Sequence, residues 1–230
     1  MRRAVLGLPL LALLLNSDRL RPARPRFSDA VSPNLSDVYA ALPARNEGRL
    51  GRPGDPLGIL FVGTDEQVRS ALAAAGWTSI PLTISGCVRA GLKEFFDFQT
   101  LTSFPPMNDY RIMGRDQDMN WVRVVRPVLE RHHFRLWRTG IVDARGRELW
   151  WGSGNYDKSV RWRDLSHIPD PDADRERDFL AETLRDIPGV ASKSLLELPQ
   201  IPRRGANDKG YPFTTDGRAL LVELASPPGR

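Results

Sequence analysis

The sequence predicts an α+β fold, an antiparallel sheet of about five strands with two to three packing helices, preceded by a disordered or loosely attached N-terminal arm. Three observations predict it. A short apolar run closed by glycine, Leu57 to Gly63, leads straight into a capped helical pattern. Four strand-like segments follow, with connections too short for crossover helices, which implies antiparallel pairing. Residues 16–56, by contrast, are rich in Arg, Pro, Ser and Asn and hold too few apolar side chains to offset the entropy of ordering.

The chain opens with Met1-Arg2-Arg3 and the uncharged run Ala4 to Leu15. A short basic start before an apolar stretch of this size has the pattern of a secretory signal, because a spanning helix needs roughly 20 apolar residues. Residues 1–17 are therefore expected to be a signal-like or anchor segment, and 18–55 a basic Pro/Arg-rich linker. Gly51-Arg52-Pro53-Gly54-Asp55-Pro56 punctuates the chain, and the folded domain is expected over 56–225.

Within that domain, Thr64-Asp65-Glu66-Gln67 forms a capping box ahead of Val68, Leu72 and Ala75 at helical spacing, and Gly76 ends the helix. Ser85 to Phe96 predicts a second helix whose stripe of Val88, Leu92, Phe95 and Phe96 is expected in the core. Strands are expected at Tyr110–Gly114, Trp121–Val125, Arg131–Thr139 and Leu149–Tyr156, with a turn at Asp143-Ala144-Arg145-Gly146. A third helix is expected from about Asp172 to Asp186, then short strands at Ser194–Leu198 and Leu220–Leu224 around a Pro/Gly-rich loop.

Charge excludes one class of function. The pI near 9.8 suggests nucleic acid. However, residues 1–53 hold nine Arg and four acids, while 54–230 hold 24 basic and 24 acidic side chains. The folded part is formally neutral and no nucleic-acid partner is expected. The basic arm instead suits an anionic membrane surface. Trp121, Trp137, Trp150, Trp151 and Trp162 are expected in and around the sheet rather than on a base-stacking platform. The single Cys87 makes no internal disulfide and is expected as a buried small hydrophobe. No metal-type cysteine spacing is present and Gly152-Ser153-Gly154 lies in a strand segment, so neither a metal, a cofactor nor a serine nucleophile elbow is expected.

The segment Arg131 to Trp137 (RHHFRLW) carries the unusual chemistry. Side chains alternate along a strand, so His132, Phe134 and Leu136 face one side, and Arg131, His133, Arg135 and Trp137 the other. A hairpin through Gly146 would bring Asn155 and Asp157 beside His133 and Arg135. Arg and His next to Asp suit a phosphate or carboxylate, the guanidinium giving bidentate contact and the imidazole moving a proton. The third histidine, His167, precedes Asp170, Asp172 and Asp174. These acids lack the glycine and glutamate of a calcium loop, and acids at a helix start stabilise its dipole without a ligand. A composite site requires His167 near His133 and Asp157. The candidate catalytic residues are His133, His167, Asp157 and Asp170; the candidate ligand contacts are Arg135, His132 and Asn155.

The runs Arg131 to Trp137, Leu149 to Asp157 (LWWGSGNYD) and His167 to Asp178 (HIPDPDADRERD), together with Asp55-Pro56-Leu57, Val62-Gly63 and Ala75-Gly76-Trp77, resemble the LssY C-terminal domain family of bacteria over roughly Pro56 to Ile187. The family's acidic motif usually reads His-Ile-Asp-Pro-Asp, and here Pro169 intervenes. The resemblance implies a bacterial envelope protein, exported or membrane-anchored. LssY-like domains often follow membrane regions of the phosphatidic-acid-phosphatase type or accompany DedA-like segments, and the founding member belongs to a locus associated with type I secretion. It implies no activity and no named protein partner, but makes a lipid-phosphate ligand reasonable by analogy.

The expectation is thus an envelope-located accessory domain that binds a phosphorylated or otherwise anionic envelope molecule. In a hydrolytic version Arg135 holds the anion, His133 or His167 serves as acid and base, and Asp157 or Asp170 orients the imidazole. The alternative is a non-catalytic interaction module of a bacterial secretion or membrane assembly, with the same polar residues forming a buried network.

Overall fold

A computed structural model describes residues 35–143, 145–161 and 166–225. The proposed signal-like segment, the first part of the linker and Trp162 lie outside the described residues. In chain order the elements are α1 (Leu35–Ala41), β1 (Arg45–Glu47), β2 (Pro53–Pro56), β3 (Ile59–Gly63), α2 (Asp65–Ala74), β4 (Thr78–Ile80), α3 (Ile84–Phe96), β5 (Arg111–Ile112), β6 (Arg115–Asp116), β7 (Met119–Arg126), β8 (Glu130–Val142), β9 (Glu148–Arg161), β10 (Ser166–Pro169), α4 (Asp174–Thr183), β11 (Val190–Glu197), β12 (Arg204–Ala206), β13 (Pro212–Thr214) and β14 (Arg218–Leu224).

The α+β class holds, but the sheet is larger than the five strands expected. Seven strands run in the order β11-β14-β3-β9-β8-β7-β4, and β10 adds an eighth by pairing with β9. All pairings are antiparallel except β14 with β3. The strands missed are short, such as the three residues of β4 and the four of β10, and leave too few alternations to read. The expected strand Tyr110–Gly114 is instead a tight hairpin, β5 to β6, with Met113 and Gly114 at positive φ in its turn.

One face of the sheet packs on α2 and α4 through Ile59, Phe61, Leu72, Trp77, Trp121, Phe134, Trp150 and Leu180. The other buries Leu60, Val62, Tyr110, Trp137, Trp151 and Leu221. Because β3 is covered on both faces, all five of its residues are buried, which explains its unbroken apolar run. Helix α2 begins as expected: Thr64 accepts from the Gln67 N–H while the Gln67 side chain accepts from the Thr64 N–H, and Gly76 follows at φ 81°. Two buried tryptophans satisfy their indoles locally, Trp150 Nε1 donating to Gly63 O and Trp151 Nε1 to Pro43 O, both at 3.0 Å, whereas Trp137 Nε1 is buried without an aligned partner.

The described part of the 18–55 stretch is built into the domain. Val38 and Leu42 join the second core, β1 pairs with β2 and β5, and Asn46 Oδ1 accepts from the Asp55 N–H at 2.8 Å. Composition misses this because so few apolar residues are involved and polar bonds to the sheet do the anchoring. A second correction concerns α3, whose apolar stripe was expected in the core. Its buried residues are the small ones, Ser85, Cys87 and Gly91, while Leu92, Phe95 and Phe96 face solvent. Periodicity shows that a helix has an apolar side, not which side meets the protein.

Candidate functional site

The long β8–β9 hairpin builds the site. Register pairs Arg131 with Asp157, His133 with Asn155 and Arg135 with Ser153. These six point away from α2 and α4, as alternation requires. Except for Ser153 they line a cavity of about 680 Å³. Its remaining walls come from the loop after α3 (Phe104, Pro106, Met107, Asn108, Tyr110), from Arg52 and Asp55, and from Asn207 to Lys209 and Tyr211. Strand β10 closes one side with His167. Polar cross-links fix these walls: Asn207 Nδ2 donates to Asp55 Oδ1 at 3.0 Å, and the Tyr110 hydroxyl donates to Asp208 Oδ1 at 2.7 Å.

Asp157 is the centre of charge. One oxygen, Oδ2, lies 3.2 Å from His133 Nδ1, 2.8 Å from His167 Nδ1 and 3.2 Å from Arg131 Nε. Only the Arg131 contact has hydrogen-bond alignment. The imidazole nitrogens approach within ion-pair distance off the hydrogen-bond axis, and His133 Nδ1 and both nitrogens of His167 are buried without an aligned partner. Burial alone would raise the Asp157 pKa, but the charges and contacts of His133 and His167 override it and hold the carboxyl well below the usual carboxylate range. Burial pushes the His133 imidazole down from its ordinary value, against the pull of Asp157.

Arg135 is 2% exposed, and its donors Nε and Nη2 both go to one neutral acceptor, Asn108 O, at 3.3 and 3.2 Å. Its guanidinium carbon lies 4.7 Å from the centre of the Tyr110 ring. Among the described residues no carboxylate comes within ion-pair distance of it. Burial lowers its pKa, yet a guanidinium stays charged, so a buried cation faces the cavity without a counter-charge of its own. Arg131, also buried, is neutralised by Asp157 and donates through Nη1 to Pro105 O at 2.7 Å. Around the whole cavity five Arg and Lys stand against three Asp, which favours an anion inside.

Of the residues singled out from sequence, His133, His167, Asp157, Arg135 and Asn155 converge on this cavity. His132 and Asp170 do not. His132 faces the helix side, with Nδ1 2.7 Å from Glu176 Oε2 and its ring stacked on Phe179 at 3.5 Å between centroids. Burial drives His132 down to about 4 and holds Glu176 well above the usual carboxylate range, so the pair is a neutral structural hydrogen bond. Asp170 turns outward, accepting from Arg175 Nη1 at 2.8 Å and from the Asp172 N–H at 3.0 Å. The register of β10 on β9 slips between Ile168 and Pro169, which separates His167 from the acids behind it.

Arg131 shares the face of His133 and was visible by alternation as a site residue. Tyr110, Asn108 and Asn207 come from loops with no sequence signal. Among the described residues no three His, Cys, Asp or Glu side chains are arranged to hold a metal ion. Both imidazoles turn Nδ1 to the same carboxylate oxygen rather than to a shared open point.

No curated protein and no solved structure matches the chain. The family model described as LssY C-terminus matches residues 39–219, from α1 into β14 and thus across every strand that lines the cavity. With that match spanning most of its length, the chain belongs to the LssY C-terminus family.

Proposed function

We propose that this is an envelope-located domain whose cavity binds a phosphorylated or otherwise anionic molecule and that His133, His167 and Asp157 can hydrolyse it. The observation that carries the reading is Arg135, a buried cation lining a cavity with no carboxylate among the described residues in ion-pair reach. A cation in that position costs the fold desolvation energy, and an entering anion repays it. Arg131 and Arg135 stand two residues either side of His133 on β8, so an anion held by the guanidinium of Arg135 sits beside that imidazole. Asp157 draws Nδ1 of both imidazoles towards one carboxylate oxygen, off the hydrogen-bond axis. One imidazole then takes the proton of an attacking water while the other donates to the leaving oxygen. Envelope location is supported by the basic, apolar-leading N-terminus and by the setting of LssY-like domains.

The test is calorimetric titration of the purified chain with inorganic phosphate and with a short-chain phosphatidic acid, alongside a phosphate-release assay on the latter. Arg135→Gln should abolish binding without lowering Tm, and His133→Ala and His167→Ala should each abolish release. If neither anion binds and these substitutions only lower Tm, the cluster is a structural network and the interaction-module reading takes its place.

A further inference from the structure

Helix α3 presents its large apolar residues to water. Gly91 lies so close to the loop below that a Cβ there would stand 3.0 Å from Phe104 Cβ, so the helix is seated by its small side. On the opposite side Leu92, Phe95 and Phe96 are 50%, 63% and 72% exposed. Val88, one turn before Leu92 on the same stripe, lines the anionic-ligand cavity. The stripe therefore begins in the cavity wall and runs outward from its mouth.

Two more apolar side chains stand out from the surface, one just past α3 and one on the wall of the cavity that Val88 lines. Phe98, just past the end of α3, is 98% exposed at φ 55°, and Leu50, which lines the same cavity, is 99% exposed at φ 57°. Both hold a bulky apolar side chain wholly outside the protein, in a backbone region where Gly or Asn sits without strain. Such tips are poorly shaped for a flat protein partner and well shaped to enter a layer of lipid head groups, where aromatic side chains are favoured. Charge agrees: Arg52, two residues from Leu50, is exposed at the cavity wall, and the buried guanidinium of Arg135 lines the same cavity.

We propose that this face docks on an anionic lipid surface, with Leu50, Phe95, Phe96 and Phe98 entering the head-group layer and a lipid phosphate reaching Arg135 from below. The docking rests on the exposed side chains; the placing of the phosphate rests on the anion-binding reading above.

The experiment uses the full chain with Phe98→Cys carrying an environment-sensitive dye and Cys87→Ala removing the one native thiol. Vesicles of phosphatidylcholine containing phosphatidic acid should shift the dye emission to the blue, and Phe95→Ser with Phe96→Ser should raise the lipid concentration needed by at least about tenfold. The same pair of substitutions should leave calorimetric binding of inorganic phosphate unchanged. No shift on any vesicle, in a preparation that still binds phosphate, overturns the docking and leaves the cavity reading intact. A shift that Arg135→Gln does not weaken overturns the placing of the lipid phosphate. Dimerisation seen by light scattering and dissolved by Phe95→Ser with Phe96→Ser, without a vesicle-dependent shift, assigns the face to a second copy of the chain and overturns the proposal.

Discussion

Gly154 sits on β9 opposite Phe134, where helix α4 presses on the back of the site. A Cβ there would lie 2.7 Å from Glu176 Cγ, 2.9 Å from Phe134 Cβ and 3.0 Å from His133 O. None of these is the loose end of a long side chain: one is backbone, one is a Cβ, and Glu176 is buried and bonded to His132. Gly154→Ala thus forces overpacking, costing about 1–3 kcal/mol. It also displaces Glu176 from His132, and that 2.7 Å bond contributes about 0.5–1.5 kcal/mol. Near the middle of these ranges the loss is about 3 kcal/mol, a fall in Tm of about 6–12 °C for a domain of this size. Thermal circular dichroism at pH 7 measures it. Combining Gly154→Ala with Glu176→Ala removes the nearest clash, and the double variant should be at least about 1 kcal/mol more stable than the summed singles predict. A Gly154→Ala protein within about 0.5 kcal/mol of wild type, or strict additivity in the double, would refute the contact geometry.

Further outcomes follow from the charged groups. Glu176→Gln should keep or raise Tm at pH 7, because burial keeps Glu176 protonated and Gln keeps its shape; a clear fall would show the carboxyl to be ionised. Asp157→Asn should cost about 3–5 kcal/mol in a urea titration at pH 7, since it strands the buried Arg131 guanidinium, and a loss under about 1 kcal/mol would show that Arg131 does not need it. His132 titrates near 4 when folded against 6.5 when free, and His133 is shifted the same way. Between about pH 6.5 and 4 the unfolded chain therefore takes up protons on both histidines, against the one that the raised carboxyl of Glu176 keeps in the fold, so Tm should fall as pH drops through that window. His132→Gln should flatten that slope, and an unchanged slope would remove His132 as its cause.

The face of the β8–β9 hairpin was legible in the sequence because the side-chain period of two is independent of context. Once His133, Arg135, Asn155 and Asp157 fall in two strands joined by a short turn, their meeting follows from geometry, as does the departure of His132 to the other side. His167 was legible only as a chemically suitable residue. Its strand has four residues and ends in Pro169, so its approach to Asp157 depends on a register that alternation could not set. Asp170 looked like its partner by proximity along the chain, but the slip beside Pro169 sends it to Arg175. The outward stripe of α3 was unreadable for a different reason: which side of a helix faces the protein depends on close approaches such as Gly91 on Phe104. The arm near Val38 and Leu42 was hidden because a few well-placed apolar contacts and polar bonds anchor it where average composition registers none.

The pairing of β14 with β3 has a consequence for how the protein is made. Ile59, in the middle of the sheet, takes Leu220 as its parallel neighbour. A ribosome that has delivered β3, α2 and the β7–β9 meander still holds back the strand that covers one edge of β3. Until Arg218 to Leu224 emerge, a strand apolar on both faces keeps an open edge, the arrangement that other strands and other chains most readily pair with. Completing the sheet depends on contacts distant in sequence, which form slowly. Loss of β14 would therefore open an edge of β3 and detach β11, the strand beyond it, leaving a chain prone to aggregate rather than a slightly shorter domain.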